Sequence, residues 1–141
     1  MDFMAHLILT ILIFGWDLTA IIGGTLPDFL YLIAFLYARD KNCKKTKIFI
    51  WGERLHSFFI IPPLGFLLYL ISQNYSFITF TNAVLLHLIC DVITHRTEGP
   101  RFLWPFFDKY YPHGLVDWNK PKVMISYYAI LSILVLFKIY L

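Results

Sequence analysis

The chain has 141 residues, of which 59% are hydrophobic, 19% aromatic and only 15% charged, and its net charge is +3. Soluble domains carry about 25% charged residues, and the mean hydropathy here is +0.66. This composition excludes a soluble globular domain and predicts an integral membrane protein. The length leaves room for one domain, residues 1–141.

The first apolar region covers residues 3–38. Its N-terminus has neither the basic start nor the cleavage site of a secretory signal, so we expect it to be retained. Gly23-Gly24 and Leu26-Pro27-Asp28 interrupt the region. Proline suits the first turn of a helix and Asp28 its electropositive end. The pattern therefore predicts a broken helix or a tight helical pair, which crosses the membrane once or twice.

The linker after this region is basic. It contains Arg39, Lys41, Lys44, Lys45 and Lys47. Basic residues beside membrane spans mark the cytoplasmic side, so this linker should face the cytoplasm and contact anionic lipids. The cluster alone does not indicate nucleic-acid binding. Cys43 and Cys90 lie in different environments and form neither a disulfide framework nor a zinc-type pair.

The next apolar stretch is long enough for two spans. No Asp, Glu, Lys or Arg occurs from Phe58 to Cys90, and one span needs about 20 such residues. We expect one span over residues 55–71, kinked at Pro62-Pro63, and another over residues 77–95. Residues 72–76 supply the turn between them.

The last third begins with a loop rich in aromatic residues and proline, residues 96–122, which is typical of a segment at the headgroup level. A final apolar stretch, residues 123–141, predicts another span. The expected fold is therefore all-α, a polytopic membrane helical bundle with about four spans and a broken N-terminal helix or helical pair.

The third predicted span contains polar residues that are costly to bury in a membrane. His87, Asp91 and His95 follow one another at i, i+4 and i+8, so on a helix they form one stripe, and imidazole with carboxylate suits a divalent metal. His56 lies as far before the turn as residue 93 lies after it, which brings it level with Asp91. Both flanking loops are basic, so this site should lie near the cytoplasmic face.

Each of these residues also has a purely structural explanation. His87 and Asp91 could form a polar contact between helices, worth about 0.6 kcal/mol on average. His56 could be an interfacial histidine, Asp28 a helix-start carboxylate and His6 a packing residue. Several ionisable residues inside a membrane nevertheless favour a functional site.

The residues at the membrane edge allow two interpretations as well. Thr94 is most simply a threonine that donates to a carbonyl one turn earlier, with a bond to a metal ligand as the alternative. His95 is a further candidate ligand. The loop residues Glu98, His113 and Asp117 should be solvated, although any of them could reach over the site as an acid or base.

Several short segments carry a resemblance to a known family. They are His6, Leu26-Pro27-Asp28, Leu55-His56-Ser57, the segment from His87 to Thr94, and Leu103-Trp104-Pro105-Phe106. In these segments the chain resembles the small membrane-bound metal-dependent hydrolases of bacteria and archaea, an inner-membrane type. The resemblance implies metal ligands at His6, Asp28, His56, His87 and Asp91, in a pattern similar to the zinc-dependent phospholipase C site.

The chain departs from this family at one place. Many relatives carry His-Arg shortly before His-Ser, whereas this chain reads Trp51-Gly52-Glu53-Arg54. Glu53 or His95 could replace the missing contact. Glu53, Glu98 and His95 are accordingly the candidates for the catalytic acid or base.

The expected function is a membrane-bound metal-dependent hydrolase acting on a phosphoester or another ester at or near the membrane surface. Zinc is the first choice of metal, with manganese and iron as alternatives, and the substrate is a lipid-borne or small-molecule ester. No GxSxG elbow and no P-loop occurs. The competing hypotheses are metal or proton transfer along the His/Asp stripe and a structural subunit; the oligomeric state stays open.

Overall fold

A computed structural model of the chain describes residues 2–38, 47–97, 99–109 and 114–140. Its helices are α1 (Phe3–Phe14), α2 (Leu18–Ala38), α3 (Lys47–Leu55), α4 (Ile61–Ser72), α5 (Ser76–Thr94) and α6 (Pro121–Tyr140). These ranges contain no β-strand, only an isolated bridge between His95 and Asp117. The all-α prediction is confirmed. Most of the basic linker with Cys43, and also Glu98 and His113, lie outside the described residues.

The N-terminal region is a helical pair, but its break lies earlier than predicted. Gly15 ends α1 with φ +70°, a conformation that glycine tolerates. The Asp17 carboxylate then accepts hydrogen bonds from the backbone of Thr19, at 2.8 Å, and Ala20, at 3.0 Å, which starts α2. Pro27 lies inside α2, so Asp28 is not a helix-start carboxylate.

Helix α2 is bent instead of interrupted. Its two parts, Leu18–Phe29 and Tyr31–Tyr37, meet at an angle of 46°. The bend follows Pro27, whose ring removes a backbone donor and crowds the preceding turn.

The predicted span over residues 55–71 is wrong in its start and its length. Pro62 lies in the first turn of α4, where its missing N–H costs nothing, so the proline pair begins a helix and does not kink one. With 12 residues α4 is about 18 Å long, less than the roughly 30 Å of a bilayer core. The turn after it, with Gln73 at φ +54°, leads into α5 as predicted.

Two described helices, α5 and α6, are long and apolar enough to cross a membrane, and α2 makes a third if its bent parts form one span. Helices α1 and α4 are apolar but have 12 residues each. Two or three candidate spans are therefore supported, and the expectation of about four is not confirmed. The expected last span corresponds to α6.

Close packing of α2 brings α1 and α5 together. A Cβ on Gly23 would lie 2.5 Å from the carbonyl oxygen of Phe80, and one on Gly24 would lie 2.1 Å from the Thr10 hydroxyl. Small residues of this kind let membrane helices approach closely. Contacts of Gly24 with His87 and of Asp28 with Asp91 show that α2 and α5 run parallel.

Helix α6 holds α1 in place from both ends. The Asp2 carboxylate caps α1 through the backbone of Ala5, at 3.0 Å, and accepts hydrogen bonds from the hydroxyls of Tyr127 and Tyr128. At the other end, the Lys138 ammonium donates to the carbonyl of Leu12 at 2.6 Å, one of the unpaired carbonyls of a helix end. The contact of His6 with Asp91, at 2.9 Å, places the start of α1 beside the end of α5.

We expect Gly23→Ala to lower the free energy of unfolding by about 1–3 kcal/mol, because the new methyl group would meet a backbone oxygen that cannot move without separating α2 from α5. Unfolding in detergent micelles measures this. Ile22→Ala, at a residue that is 46% exposed, serves as the control and should change stability by less than about 0.5 kcal/mol. Equal stability of the two variants would contradict the close contact.

Candidate metal centre

Four side chains from three parts of the fold converge at one end of the bundle. They are Asp28 on α2, His56 just after α3, and His87 and Asp91 on α5. One ligand atom of each lies within 4.8 Å of the other three. Ligand atoms around a single zinc ion lie about 3–4 Å apart, so a small inward movement would bring all four donors onto one ion.

Both histidines of this group are oriented by backbone carbonyls. The Nδ1 atom of His56 donates to the carbonyl of Gly52 at 2.7 Å, and that of His87 donates to the carbonyl of Gly24 at 2.8 Å. A carbonyl oxygen only accepts, so Nδ1 carries the hydrogen in each ring and Nε2 of the neutral imidazole keeps its lone pair. Metal-binding histidines are commonly fixed in this way.

The free ring nitrogens face carboxylate oxygens. The Nε2 atom of His87 lies 3.3 Å from Asp91 Oδ2 and 3.8 Å from Asp28 Oδ1, and Nε2 of His56 lies 3.4 Å from Asp28 Oδ1. Among the described residues, His87 Nε2 and Asp28 Oδ2 are buried without a hydrogen-bond partner. Lone pairs buried in this arrangement repel one another unless a proton or a metal cation lies between them. The donor set therefore fits a divalent metal, with zinc preferred.

His6 is adjacent to this group but plays a different part in the geometry. Its Nε2 atom donates to Asp91 Oδ1 at 2.9 Å, and its ring stacks on that of His87 with centroids 3.6 Å apart. With the hydrogen on Nε2, this atom is a hydrogen-bond donor to the Asp91 carboxylate. Ligand status for His6 stays a prediction, and the contact assigns it a positioning role.

The turn that carries His56 is held by the loop after α5. The Ser57 hydroxyl donates to the carbonyls of Phe102, at 3.2 Å, and Trp104, and the backbone N–H of Phe58 donates to Phe102 at 3.1 Å. Two segments that the sequence analysis singled out, around His56 and around Trp104, therefore contact each other. Their common effect is to fix the imidazole of His56.

A cavity of about 630 Å³ opens onto the cluster, and both Asp28 and Asp91 line it. Two of the three acid-or-base candidates, Glu53 and His95, line it as well. The Glu53 carboxylate accepts a hydrogen bond from Arg101 at 3.1 Å. Burial lowers the pKa of His95, which keeps this imidazole neutral at pH 7. The predicted level match of His56 with Asp91 is confirmed, since Nε2 lies 3.7 Å from Oδ2.

Other loop and edge residues behave in part as expected. The Thr94 hydroxyl donates to the carbonyl of Cys90 at 2.8 Å, which confirms the structural interpretation. Asp117, by contrast, is buried and not solvated, because it accepts hydrogen bonds from the backbone and the hydroxyl of Thr97. These bonds hold the pKa of Asp117 below its usual range. Asp117 therefore fixes the loop over the cavity.

Sequence reasoning missed several residues that line the cavity, among them Tyr31 and Asp2. The Tyr31 ring stacks on His56 with centroids 4.8 Å apart. Its position three residues after Asp28 places both on one helix face, a signal the sequence did contain. Asp2 had no such signal, because its place depends on the contact with α6.

A family comparison bears on these observations. Residues 16–140 match the family described as YdjM inner membrane protein. The chain belongs to this family. The matched range includes Asp28, His56, His87 and Asp91, whereas His6 precedes it. Searches of curated proteins and of solved structures give no significant match. Membership supports the inner-membrane localisation, and the family description names neither a metal nor a reaction.

For the metal centre, we expect His87→Ala and Asp91→Ala each to weaken binding of Zn²⁺ by at least tenfold, about the smallest effect known for changes around metal ligands. Metal analysis and Zn²⁺ titration of the purified family member measure this. Cys90→Ala, on the same helix but outside the four-residue group, should bind as the wild type does. If both His87→Ala and Asp91→Ala still bound stoichiometric metal, these residues would not be metal ligands.

The role of His6 can be separated from that of a ligand with Co²⁺, whose visible spectrum reports its ligand set. We expect His6→Ala to weaken Co²⁺ binding by about 10–100-fold without moving the absorption bands, because Asp91 loses only its orienting donor. His6→Gln, which can still donate to Asp91, should recover part of the affinity. A shifted spectrum in both variants would instead identify His6 as a ligand.

Proposed function

We propose that this YdjM family member is a membrane-bound metal-dependent hydrolase that cleaves a phosphoester or another ester at the membrane surface. The observation that carries this proposal is the orientation of His56 and His87. Each commits its N–H to a backbone carbonyl and turns its second nitrogen toward the carboxylates of Asp28 and Asp91. Two atoms of the cluster, His87 Nε2 and Asp28 Oδ2, have no hydrogen-bond partner among the described residues, which supports a metal ion as their partner.

The residues around the cluster have separable roles in this reaction. Asp28, His56, His87 and Asp91 would hold the metal, and zinc bound there would supply a water nucleophile at neutral pH and polarise the ester oxygen. His6 orients Asp91 through its hydrogen bond. Glu53 faces the cavity, where its carboxylate could accept the proton released by the attacking water and pass it to the leaving oxygen.

Transfer of protons or metal ions across the membrane is the alternative function. Such a path needs polar groups on both sides of the cluster. The buried hydroxyls of Thr10 and Thr81, on the side away from the cavity, donate to carbonyls of their own helices at 2.8 and 2.7 Å. This favours a site that is open at one end, as an enzyme requires.

The test is hydrolysis of bis(4-nitrophenyl) phosphate and a matching aryl carboxylate ester by the purified protein in nanodiscs. We expect activity that a chelator removes and Zn²⁺ or Mn²⁺ restores, and a loss of at least about 100-fold in Asp28→Asn. Asp17→Asn, an exposed carboxylate at the opposite end of α2, is the control and should retain activity.

Chelator-resistant hydrolysis, or equal loss in both aspartate variants, would overturn the proposal. Proteoliposomes distinguish the alternative: a flux of protons or Zn²⁺ that depends on Asp91, without hydrolysis of either substrate, would assign transfer instead.

A further inference from the structure

One wall of the cavity changes from polar to apolar along α2. Asp28, Tyr31, Leu32 and Phe35 all line it, and their spacing of i, i+3, i+4 and i+7 places them on one helix face. The Asp28 side chain is 12% exposed, Leu32 is 40% exposed and Phe35 is 68% exposed. Over two turns the wall thus runs from the buried carboxylate to an apolar outer edge.

The remaining walls differ from each other in polarity. Phe49 on α3 lines the cavity beside α2, with its ring 4.8 Å from that of Tyr31. Loop residues line the rest of the cavity, with the polar side chains of Thr97, Asp117 and Asn119 beside Pro100 and Trp118. The cavity is therefore apolar along α2 and α3 and carries polar groups on its loop side.

The surroundings of the mouth place it at the bilayer. Large apolar side chains in non-spanning segments at this end are exposed, namely Trp51, Phe106 and Leu115. Exposed aromatic residues outside the spans are typical of the membrane interface. In an inner-membrane protein, these exposed residues favour contact of the apolar side of the cavity with lipid.

We propose that the cavity binds a membrane lipid, which enters sideways between the second half of α2 and α3. The ester or phosphoester lies at Asp28 and Asp91, the acyl chains pass out along Leu32 and Phe35, and the headgroup lies against the loop side. The reaction in this proposal rests on the proposed function, whereas the binding does not. It selects a lipid-borne substrate over a small soluble ester.

The size of the cavity agrees with this arrangement. Its 630 Å³ is within the range of about 300–1,000 Å³ for ligand sites, yet a complete two-chain lipid is larger. The acyl chains must therefore remain outside, and an exposed apolar edge is the wall that they require. A water-soluble ester would gain nothing from Leu32 and Phe35.

Two matched pairs of variants test the entrance. Leu32→Gln and Phe35→Gln change residues that line the cavity. Their controls, Leu36→Gln and Phe29→Gln, change the same residue types on α2 at positions that do not line the cavity. Leu36 is 64% exposed and Phe29 is 48% exposed. Each variant is assayed with a long-chain phospholipid in vesicles and with soluble bis(4-nitrophenyl) phosphate. Crosslinking to a phospholipid with a photoactivatable acyl chain provides a readout without turnover.

We expect the lining variants to lower kcat/KM for the vesicle lipid by about tenfold and to leave the soluble substrate within about twofold, while the control variants change neither. Crosslinks should map to Leu32, Phe35 or Phe49. An equal loss of kcat/KM on both substrates, or equal effects of the lining and control variants, would contradict the proposed lipid entrance.

The two proposals fail in different ways. If the wild type hydrolyses neither substrate, the proposed function is overturned, and crosslinking alone decides the lipid site. Crosslinks concentrated on the residues that line the cavity then support the lipid site. Crosslinks that label Phe29 and Leu36 as strongly as the lining residues reject it.

Discussion

The fold depends on the cost of burying carboxylates and imidazoles inside an apolar bundle. Asp28 and Asp91 come from different helices, and neither could be buried without partners. Asp91 accepts a hydrogen bond from His6 at 2.9 Å. The rings of His56 and His87, each held by a backbone carbonyl, lie 3.3–3.8 Å from the two carboxylates, where a shared proton or metal ion would offset the cost of burial. The helices must therefore stay in one register, because a shift of one turn would separate the charges.

Several distant contacts maintain that register. Gly23 lets α2 lie directly against the backbone of α5, and Asp2 with Lys138 ties α1 to α6 at both ends. Ser57 fixes the turn after α3 to the loop around Trp104. None of these residues is in the cluster, yet each determines where one element of it lies. A membrane bundle lacks a hydrophobic driving force between helices, so specific contacts have to provide the precision.

The cluster lies near the ends of α3 and α5, and the loops there determine how a substrate can reach it. Loop residues at the end of α5 satisfy its last carbonyls, as when Trp118 donates to Thr94 at 2.9 Å and Leu115 donates to Ile93 at 2.8 Å. They leave a cavity above Asp91 instead of a sealed bundle. A buried polar centre beside such a cavity supports the proposed reaction with a substrate that comes from the membrane surface.

The sequence by itself determined the membrane environment, the all-α class, α5 and α6, and the alignment of His56 with Asp91, because these follow from composition, helical periodicity and distance from a turn. It did not determine the break after α1, the interior position of Pro27 or the start of α4 at Ile61. Those depend on which carbonyls neighbouring segments satisfy and how closely helices approach. Only the tertiary structure decided that Asp28 faces Asp91 across two parallel helices and that Tyr31 and Asp2 line the cavity, since contacts between residues distant in sequence have no local signal.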